Sequence, residues 1–256
     1  KILSICIPTY KRRVVLEQCL ESILIQCQDK QIDRSIEIVI LNDNPGDETS
    51  HYVKGLMKKH PNIRYIENKV RAGIIRGILQ VPTYATGEYI WFFSDDDVQT
   101  IDAIATVLQA IKSAKPDTFL CNSNQFVDKP ANITVTNCLN IEKDIVVKSK
   151  KAFFAKIEDK FPYAIDWYLY AFSSTIMRKK LFDNNRHVID DQDEYSAMSF
   201  PHSNLIYYKA EDYTQYIGAK PIVLARMQNI SWATKSKIET AVLFDQSQTR
   251  FYKHLF

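Results

Sequence analysis

The feature that most limits how this chain can fold is the regular alternation within its first 122 residues. Short apolar runs at residues 2–7, 36–41, 62–66, 89–93 and 118–121 are separated by segments whose apolar residues recur at helical spacing. The runs have the length of buried strands. Most lack the polar alternation of a strand with one wet face, as expected where helices cover both sides of a parallel sheet. Val15, Leu16, Cys19, Leu20, Ile23 and Cys27 make one helical stripe, and Val53, Leu56 and Met57 a second. Ile74, Ile75, Ile78 and Leu79 make a third that stops before Pro82, and Ile101, Ile104, Ala105, Leu108 and Ile111 a fourth. This order predicts an α/β architecture, a doubly wound, mostly parallel sheet flanked by helices. Ligands of such sheets bind beyond the carboxyl ends of the strands, so chemistry is expected at residues 8–13, 42–47 and 94–98.

Residues 123–256 are less regular. Two β-rich pieces at 132–136 and 145–147 predict a hairpin, 173–177 a strand, and 150–157, 200–208 and 238–256 helices. Residues 216–227 read as extended, with Pro221 pointing to a sheet edge. No linker separates the halves, so 1–122 and 123–256 are expected to pack as one continuous unit.

A net charge of +3 argues against a nucleic-acid partner. The cations are nevertheless clustered: Lys54, Lys58, Lys59, Arg64, Lys69, Arg71 and Arg76 in one stretch, Lys143, Lys148, Lys150, Lys151, Lys156 and Lys160 in another. Such clusters suit a solvated face, a phosphate-rich ligand or peripheral contact with an anionic membrane. The five cysteines form neither a C-x-x-C pair nor a zinc spacing, and their odd number suits a reducing compartment. No run of about 18 apolar residues and no leader are visible, so a cytoplasmic location is expected, at most peripheral on the inner face of a membrane. There the triplets Asn132-Ile133-Thr134 and Asn229-Ile230-Ser231 would stay unglycosylated.

The costliest local feature is Ser94-Asp95-Asp96-Asp97, directly after an aromatic strand. Adjacent carboxylates raise one another's pKa unless cations or hydrogen-bond donors offset the repulsion. Carboxylate oxygens suit Mg²⁺ or Mn²⁺, and such an ion would neutralise a leaving diphosphate. For Asp97 the alternative is a capping role for the helix that begins near Thr100. The six glycines form neither a dinucleotide fingerprint nor a P-loop, so a nucleotide would have to be held otherwise.

Four segments in order resemble glycosyltransferase family 2 and its GT-A fold. They are Ser4-Ile5-Cys6-Ile7-Pro8-Thr9-Tyr10-Lys11-Arg12, Ile38 through Asn44, Arg71-Ala72-Gly73-Ile74-Ile75-Arg76-Gly77, and Ala85 through Asp97. The resemblance implies that Pro8, Thr9, Tyr10 and Arg12 lie along the nucleotide and its diphosphate. It implies that Asp43 accepts from the base, that Arg76 lies near the donor phosphates, that Asp95 contacts the ribose, and that Asp96 binds metal. Ser94 stands where many members have an aspartate, which leaves the register open and Asp97 as a spare ligand. The resemblance also implies a catalytic base in the acceptor-side second half. Asp190, Asp191, Asp193 and Glu194 are the candidates, with Asp193 or Glu194 preferred and His202 as an alternative. Asp166, Trp167 and Trp232 are expected on the acceptor side, and the second half shares faint similarity with transferases of O-antigen deoxysugars such as abequosyltransferases.

The implied activity is inverting, metal-dependent transfer of one sugar from a nucleotide-sugar donor to a glycan or lipid-linked acceptor in bacterial surface polysaccharide synthesis. The missing Q-x-x-R-W pattern argues against processive synthesis. The alternatives are a sugar-1-phosphate nucleotidyltransferase, which would show a glycine-rich first loop, and a non-catalytic glycan-binding relative.

Overall fold

A computed structural model describes residues 1–149, 151–153, 155–156, 171–186, 202 and 213–227. The strands among them are β1 (Leu3–Thr9), β2 (Ile36–Asn42), β3 (Ile63–Glu67), β4 (Tyr89–Phe92), β5 (Val98–Gln99), β6 (Thr118–Phe126), β7 (Ile133–Val135), β8 (Ile145–Val147), β9 (Thr175–Arg178) and β10 (Gln215–Arg226). The helices are α1 (Arg13–Leu24), α2 (Lys30–Ser35), α3 (Glu48–Met57), α4 (Ile74–Gln80), α5 (Ala103–Ala114) and α6 (Lys179–Asn185). All these strands join one sheet in the order β3-β2-β1-β4-β9-β6-β10-β5, with β7 on β6 and β8 on β10.

Strands β3, β2, β1 and β4 are mutually parallel. Because β9 is antiparallel to both β4 and β6, and β10 is parallel to β6, these last two also run in the β1 direction. The carboxyl ends of β1, β2, β4, β6 and β10 therefore share one edge. The sheet is nonetheless mixed rather than mostly parallel by pairing, since β5, β7, β8 and β9 are all antiparallel to their neighbours.

Alternate residues of the buried strands supply two cores. Ile5, Ile7, Ile38, Ile40, Trp91 and Phe93 face one side, where Leu16, Leu20 and Ile23 of α1 and Ile104, Val107 and Ile111 of α5 cover them. Cys6, Val39, Leu41, Ile90 and Phe92 face the other, against Val81, Phe153, Phe182 and Tyr213. A strand buried on both faces gains nothing from alternating polarity, which explains the continuous apolar runs. Polar groups between these layers find partners: Glu37 of β2 accepts from the hydroxyls of Ser4 (2.6 Å) and Thr86 (2.9 Å) and from the Thr86 N–H (2.5 Å). Gln26 accepts from the Ile104 N–H (2.9 Å) at the start of α5. Asp47, in the polar turn after β2, caps α3 by accepting from the Ser50 N–H (3.2 Å).

Three expectations are corrected. The pieces near 133 and 146 are no hairpin; β7 pairs with β6 and β8 with β10. Pro221 does not lie on an edge strand: β6 borders β10 on one side, and β8 (at 215–217) and β5 (at 223–224) border it on the other, with Pro221 in the gap between those two. It sits between two register shifts in the β10–β6 ladder, where a bulge relieves the need for its missing N–H. Strand β9 lies between β4 and β6. The expected strand at 173–177 is a 3₁₀ turn at Phe172–Ser174 followed by β9. Residues 151–153 and 155–156 are helical as expected, as is 202; the remainder of the 200–208 helix and the 238–256 helix lie outside the described residues.

Gly87 ties β1 to the start of β4 by donating its N–H to Ser4 Oγ (2.8 Å). A Cβ there would stand 2.6 Å from Ser4 Oγ and 2.8 Å from the Ser4 backbone nitrogen, while one on Gly55 in α3 meets nothing within 4 Å. Gly87→Ala should therefore lose about 1–3 kcal/mol of stability, a fall of about 3–10 °C in Tm. Gly55→Ala should raise Tm, as alanine favours helix. Thermal unfolding of both variants checks this; equal Tm values would refute it.

Candidate active site

The acidic residues leave β4 at the shared carboxyl edge, and three other elements close around them. Phe93 still donates its N–H to Cys6 O (3.0 Å) of β1, so the run begins where the β1–β4 ladder ends. Asp95, Asp96 and Asp97 are all buried. Each carboxylate has a different set of partners.

Asp95 accepts from the Thr9 hydroxyl at Oδ2 (2.7 Å) and from Arg12 Nη1 at Oδ1 (2.9 Å). Asp96 accepts from Arg12 Nη2 and from the Ser94 hydroxyl. Arg12 thus bridges two carboxylates from the loop between β1 and α1. Burial, opposed by the Arg12 charge, pushes the Asp95 carboxyl up to about 7. Arg12 itself is held above its ordinary value: burial would lower it, but the charges of Asp95 and Asp96 outweigh that.

Asp97 is bound elsewhere. Its Oδ2 accepts from the Ser173 hydroxyl (2.5 Å) and its Oδ1 from the Arg226 N–H (2.9 Å) at the end of β10. It caps no helix; it joins the acidic loop to the turn before β9 and to β10. Ser173 also accepts from the Ser94 N–H (2.8 Å) through its hydroxyl and from Trp91 Nε1 (2.7 Å) through its carbonyl. Arg226 donates from Nε to the Asp96 carbonyl (3.0 Å), from Nη1 to the Asp128 carbonyl (2.7 Å) and from Nη2 to Gln18 Oε1 (2.5 Å), with its guanidinium 4.6 Å from the Phe126 ring centre. Burial and the neighbouring Asp96 charge raise the Asp97 carboxyl to about 7, against the pull of Ser173 and Arg226.

Asp43, at the end of β2, accepts from Asn68 Nδ2 and the N–H groups of Ala72 and Gly73, each at 2.8 Å. It therefore shapes the loop that leads into α4, where Gly73 has φ of 88°. That loop brings the Arg71 guanidinium to 4.4 Å from the Tyr10 ring centre. Gly77 of α4 faces Pro8, and Arg76 is exposed on the same helix. The structure thus gathers Pro8, Thr9, Tyr10, Arg12, Asp43 and the three aspartates at one edge.

His202 is buried between Phe92 and Phe172, with ring centres at 6.2 and 5.1 Å, and burial lowers its pKa to about 3. A neutral, enclosed imidazole of this kind suits packing rather than the base role considered for it. Asp190, Asp191, Asp193, Glu194, Asp166, Trp167 and Trp232 lie outside the described residues. Ser173 and Arg226 were missed in the sequence. The signal for Arg226 was available: it ends a strand at the same edge as Thr9 and Asn42. Ser173 gave no comparable signal, because nothing local reveals that its turn abuts β4.

The family profile for glycosyl transferase family 2 matches residues 4–186. The chain belongs to that family. Among curated relatives it is 27% identical to abequosyltransferase RfbV of Salmonella typhimurium, over 92% of this chain and 70% of the relative. It is 28% identical to the GalNAc(5)-diNAcBac-PP-undecaprenol beta-1,3-glucosyltransferase of Campylobacter jejuni, over 72% of this chain but only 54% of that protein's length. Among solved structures it resembles S. aureus TarS 1–349 in complex with UDP-GlcNAc, with TM-score 0.70, 16% identity and coverage of 92% of this chain and 61% of that one. It also resembles the mannosyltransferase PcManGT from Pyrobaculum calidifontis in complex with GDP-Man and Mn²⁺, with TM-score 0.60, 15% identity and coverage of 98% and 64%. These likenesses establish the GT-A-type fold. Family membership removes the support for a sugar-1-phosphate nucleotidyltransferase.

The Asp97 carboxyl has its folded pKa raised from 3.8 to about 7, so the folded chain holds a proton that the unfolded chain releases. Its protonation favours folding fully at the acid end, and that advantage is lost as pH rises from 3.8 through about 7. With divalent metal chelated, the Tm of Asp97→Asn minus that of the native chain should grow between about pH 4 and 7 and level off above that. Thermal scans across that range test it; a constant difference would show that Asp97 does not titrate there.

Proposed function

We propose that the chain transfers one sugar, with inversion, from a nucleotide-sugar donor to a hydroxyl of a glycan or lipid-linked acceptor in bacterial polysaccharide synthesis. The observation that supports this best is the buried Arg12–Asp95–Asp96 arrangement, anchored by Thr9 at the carboxyl edge of the sheet. It combines a cation able to face a diphosphate with carboxylates able to face a metal or a ribose, where α/β sheets bind nucleotides.

Within this reading Asp95 contacts the ribose, and Tyr10, with Arg71 stacked on it, borders the base. Asp43 serves from beneath, by setting the loop that carries Arg71. Asp96 is the metal ligand of choice. Among the described residues no group of three or more His, Cys, Asp or Glu is placed to hold an ion. Mg²⁺ binds through one or two carboxylates and completes its shell with water and substrate phosphates, so Asp96 could anchor such an ion. Such an ion would supply charge neutralisation to the departing diphosphate. Both oxygens of Asp97 already serve Ser173 and Arg226, so Asp97 is assigned to holding the loop.

Inversion requires a carboxylate to take the acceptor proton. Asp193 or Glu194 remains the choice for that base, with Asp191 beside them. Among the described residues no helix is long and apolar enough to cross a membrane. The basic stretch that includes Lys69, Arg71 and Arg76 would suit work at the cytoplasmic face beside a lipid-linked acceptor.

Release of nucleoside diphosphate from UDP-, GDP-, CDP- and dTDP-sugars, with Mn²⁺ or Mg²⁺, tests the reading. One donor should be consumed, and Asp96→Asn should cut kcat/KM by about 100-fold or more. No release from any donor, or an unimpaired Asp96→Asn, would overturn it. The anomeric configuration of the product, read by NMR, tests inversion separately.

A further inference from the structure

We propose that the turn after β3 and the first turn of α4 form a docking surface for an anionic lipid bilayer. Val70 and Ile74 enter its headgroup layer, and Lys69 and Arg76 meet its phosphates. The inference rests on the lipid-linked acceptor reading above and names the surface that brings the chain to such an acceptor.

The apolar side chains here are held out in water by built anchors. Val70 keeps 80% of its exposure, more than any other large apolar residue described, and Ile74 keeps 56%. Beneath them the Asn68 N–H donates to the Asn42 carbonyl (3.0 Å), and the N–H groups of Ala72 and Gly73 donate to Asp43 (each 2.8 Å). Val70 stands between these fixed points. Helix α4 continues the pattern: Ile75, Ile78 and Leu79 are only half-buried, and Gly77 is its one buried residue. Apolar residues taken up so incompletely by the core suit a lipid interface.

The charge around this apolar tip has one sign. No Asp or Glu occurs from residue 68 to 87, or from 1 to 16. The two segments meet at Tyr10, whose ring centre lies 4.4 Å from the Arg71 guanidinium and 5.3 Å from Lys11 Nζ. The acids nearest in sequence are engaged: Asp43 by three donors, Glu67 by Lys54 and Glu17 by Arg13. Lys69 and Arg76 are exposed, and their side chains make no hydrogen bond or ion pair among the described residues. Apolar side chains flanked by unneutralised cations complement an anionic bilayer, which attracts each Lys or Arg near its surface. A protein partner fits less well, because two side chains on a projecting turn fall far short of the about 800 Å² that a stable interface takes from each partner. The turn follows the carboxyl end of β3, which is parallel to β2. Docking there brings the carboxyl edge of the sheet, and with it the aspartates, next to the lipid.

The test is co-sedimentation, without nucleotide, with vesicles of phosphatidylcholine alone or mixed with phosphatidylglycerol. The native chain should bind the mixed vesicles at least about fivefold more tightly than the neutral ones, and less tightly as salt rises. Joint Val70→Ser and Ile74→Ser substitution should weaken binding to the mixed vesicles about fivefold or more, and so should Lys69→Glu. Thermal unfolding shows which variants are folded, and Lys69→Glu decides if the serine pair is not. Native binding no tighter to mixed vesicles than to neutral ones, or folded variants that bind as the native chain does, overturns the proposal. A serine pair that loses self-association in sedimentation velocity, but not vesicle binding, makes the turn a contact between copies and overturns it as well. Nucleoside diphosphate release is measured separately, without vesicles, and the serine pair should leave it unchanged. Release without vesicle binding removes this surface and leaves the transferase reading standing. Vesicle binding with release from no donor supports the surface and removes that reading.

Discussion

Three adjacent carboxylates at the end of a buried strand repel one another and lose their hydration, and the whole carboxyl edge of this sheet is arranged to offset that. The compensation comes from far away in the chain. Arg12 reaches Asp95 across 83 positions, Ser173 reaches Asp97 across 76, and Arg226 reaches it across 129. Asp95 and Asp96 share Arg12, whereas Asp97 is held by Ser173 and Arg226, so the three are not interchangeable. Asp95 and Asp96 are bridged by a guanidinium, while Asp97 is bound by a backbone N–H and a hydroxyl. Loop shape and site charge are therefore one problem with one solution.

The same logic governs Asp43. Its carboxylate accepts from three internal donors, each at 2.8 Å. A carboxylate used in this way shapes a loop at the carboxyl edge of the sheet. It holds the loop in which Arg71 lies over Tyr10.

The amino-terminal fold was legible because its signals are local. Ile36 to Asn42 is buried throughout, and α1 buries Leu16, Cys19, Leu20 and Ile23 at helical spacing, so period alone assigns them. The candidate site was legible to the extent that it lies on strand ends, as Thr9 and Asp95 do. What escaped depends on pairing between remote segments. Nothing near Thr175–Arg178 announces that four residues will lie between β4 and β6. Pro221 misled because a proline's usual place at an edge is a rule about ladder hydrogen bonds, and the bulge around it removes that demand. Asp97 looked like a cap because a helix does follow, but its true partners, Ser173 and Arg226, are distant in sequence.

The position of β9 has a consequence for how the chain comes to be folded. During synthesis β1 to β4 can pair as they emerge, and β6 follows after α5. At that stage β4 and β6 each present an open edge, and the filler between them is made only later. The closing contacts are correspondingly distant: Trp91 waits for Ser173, 82 positions on, and Glu88 for Arg178, 90 positions on. Contacts of such separation form slowly, and open strand edges invite pairing with other chains. The nascent protein therefore passes through a stage in which its largest aromatic strand is exposed along one side, and a single short segment ends that vulnerability.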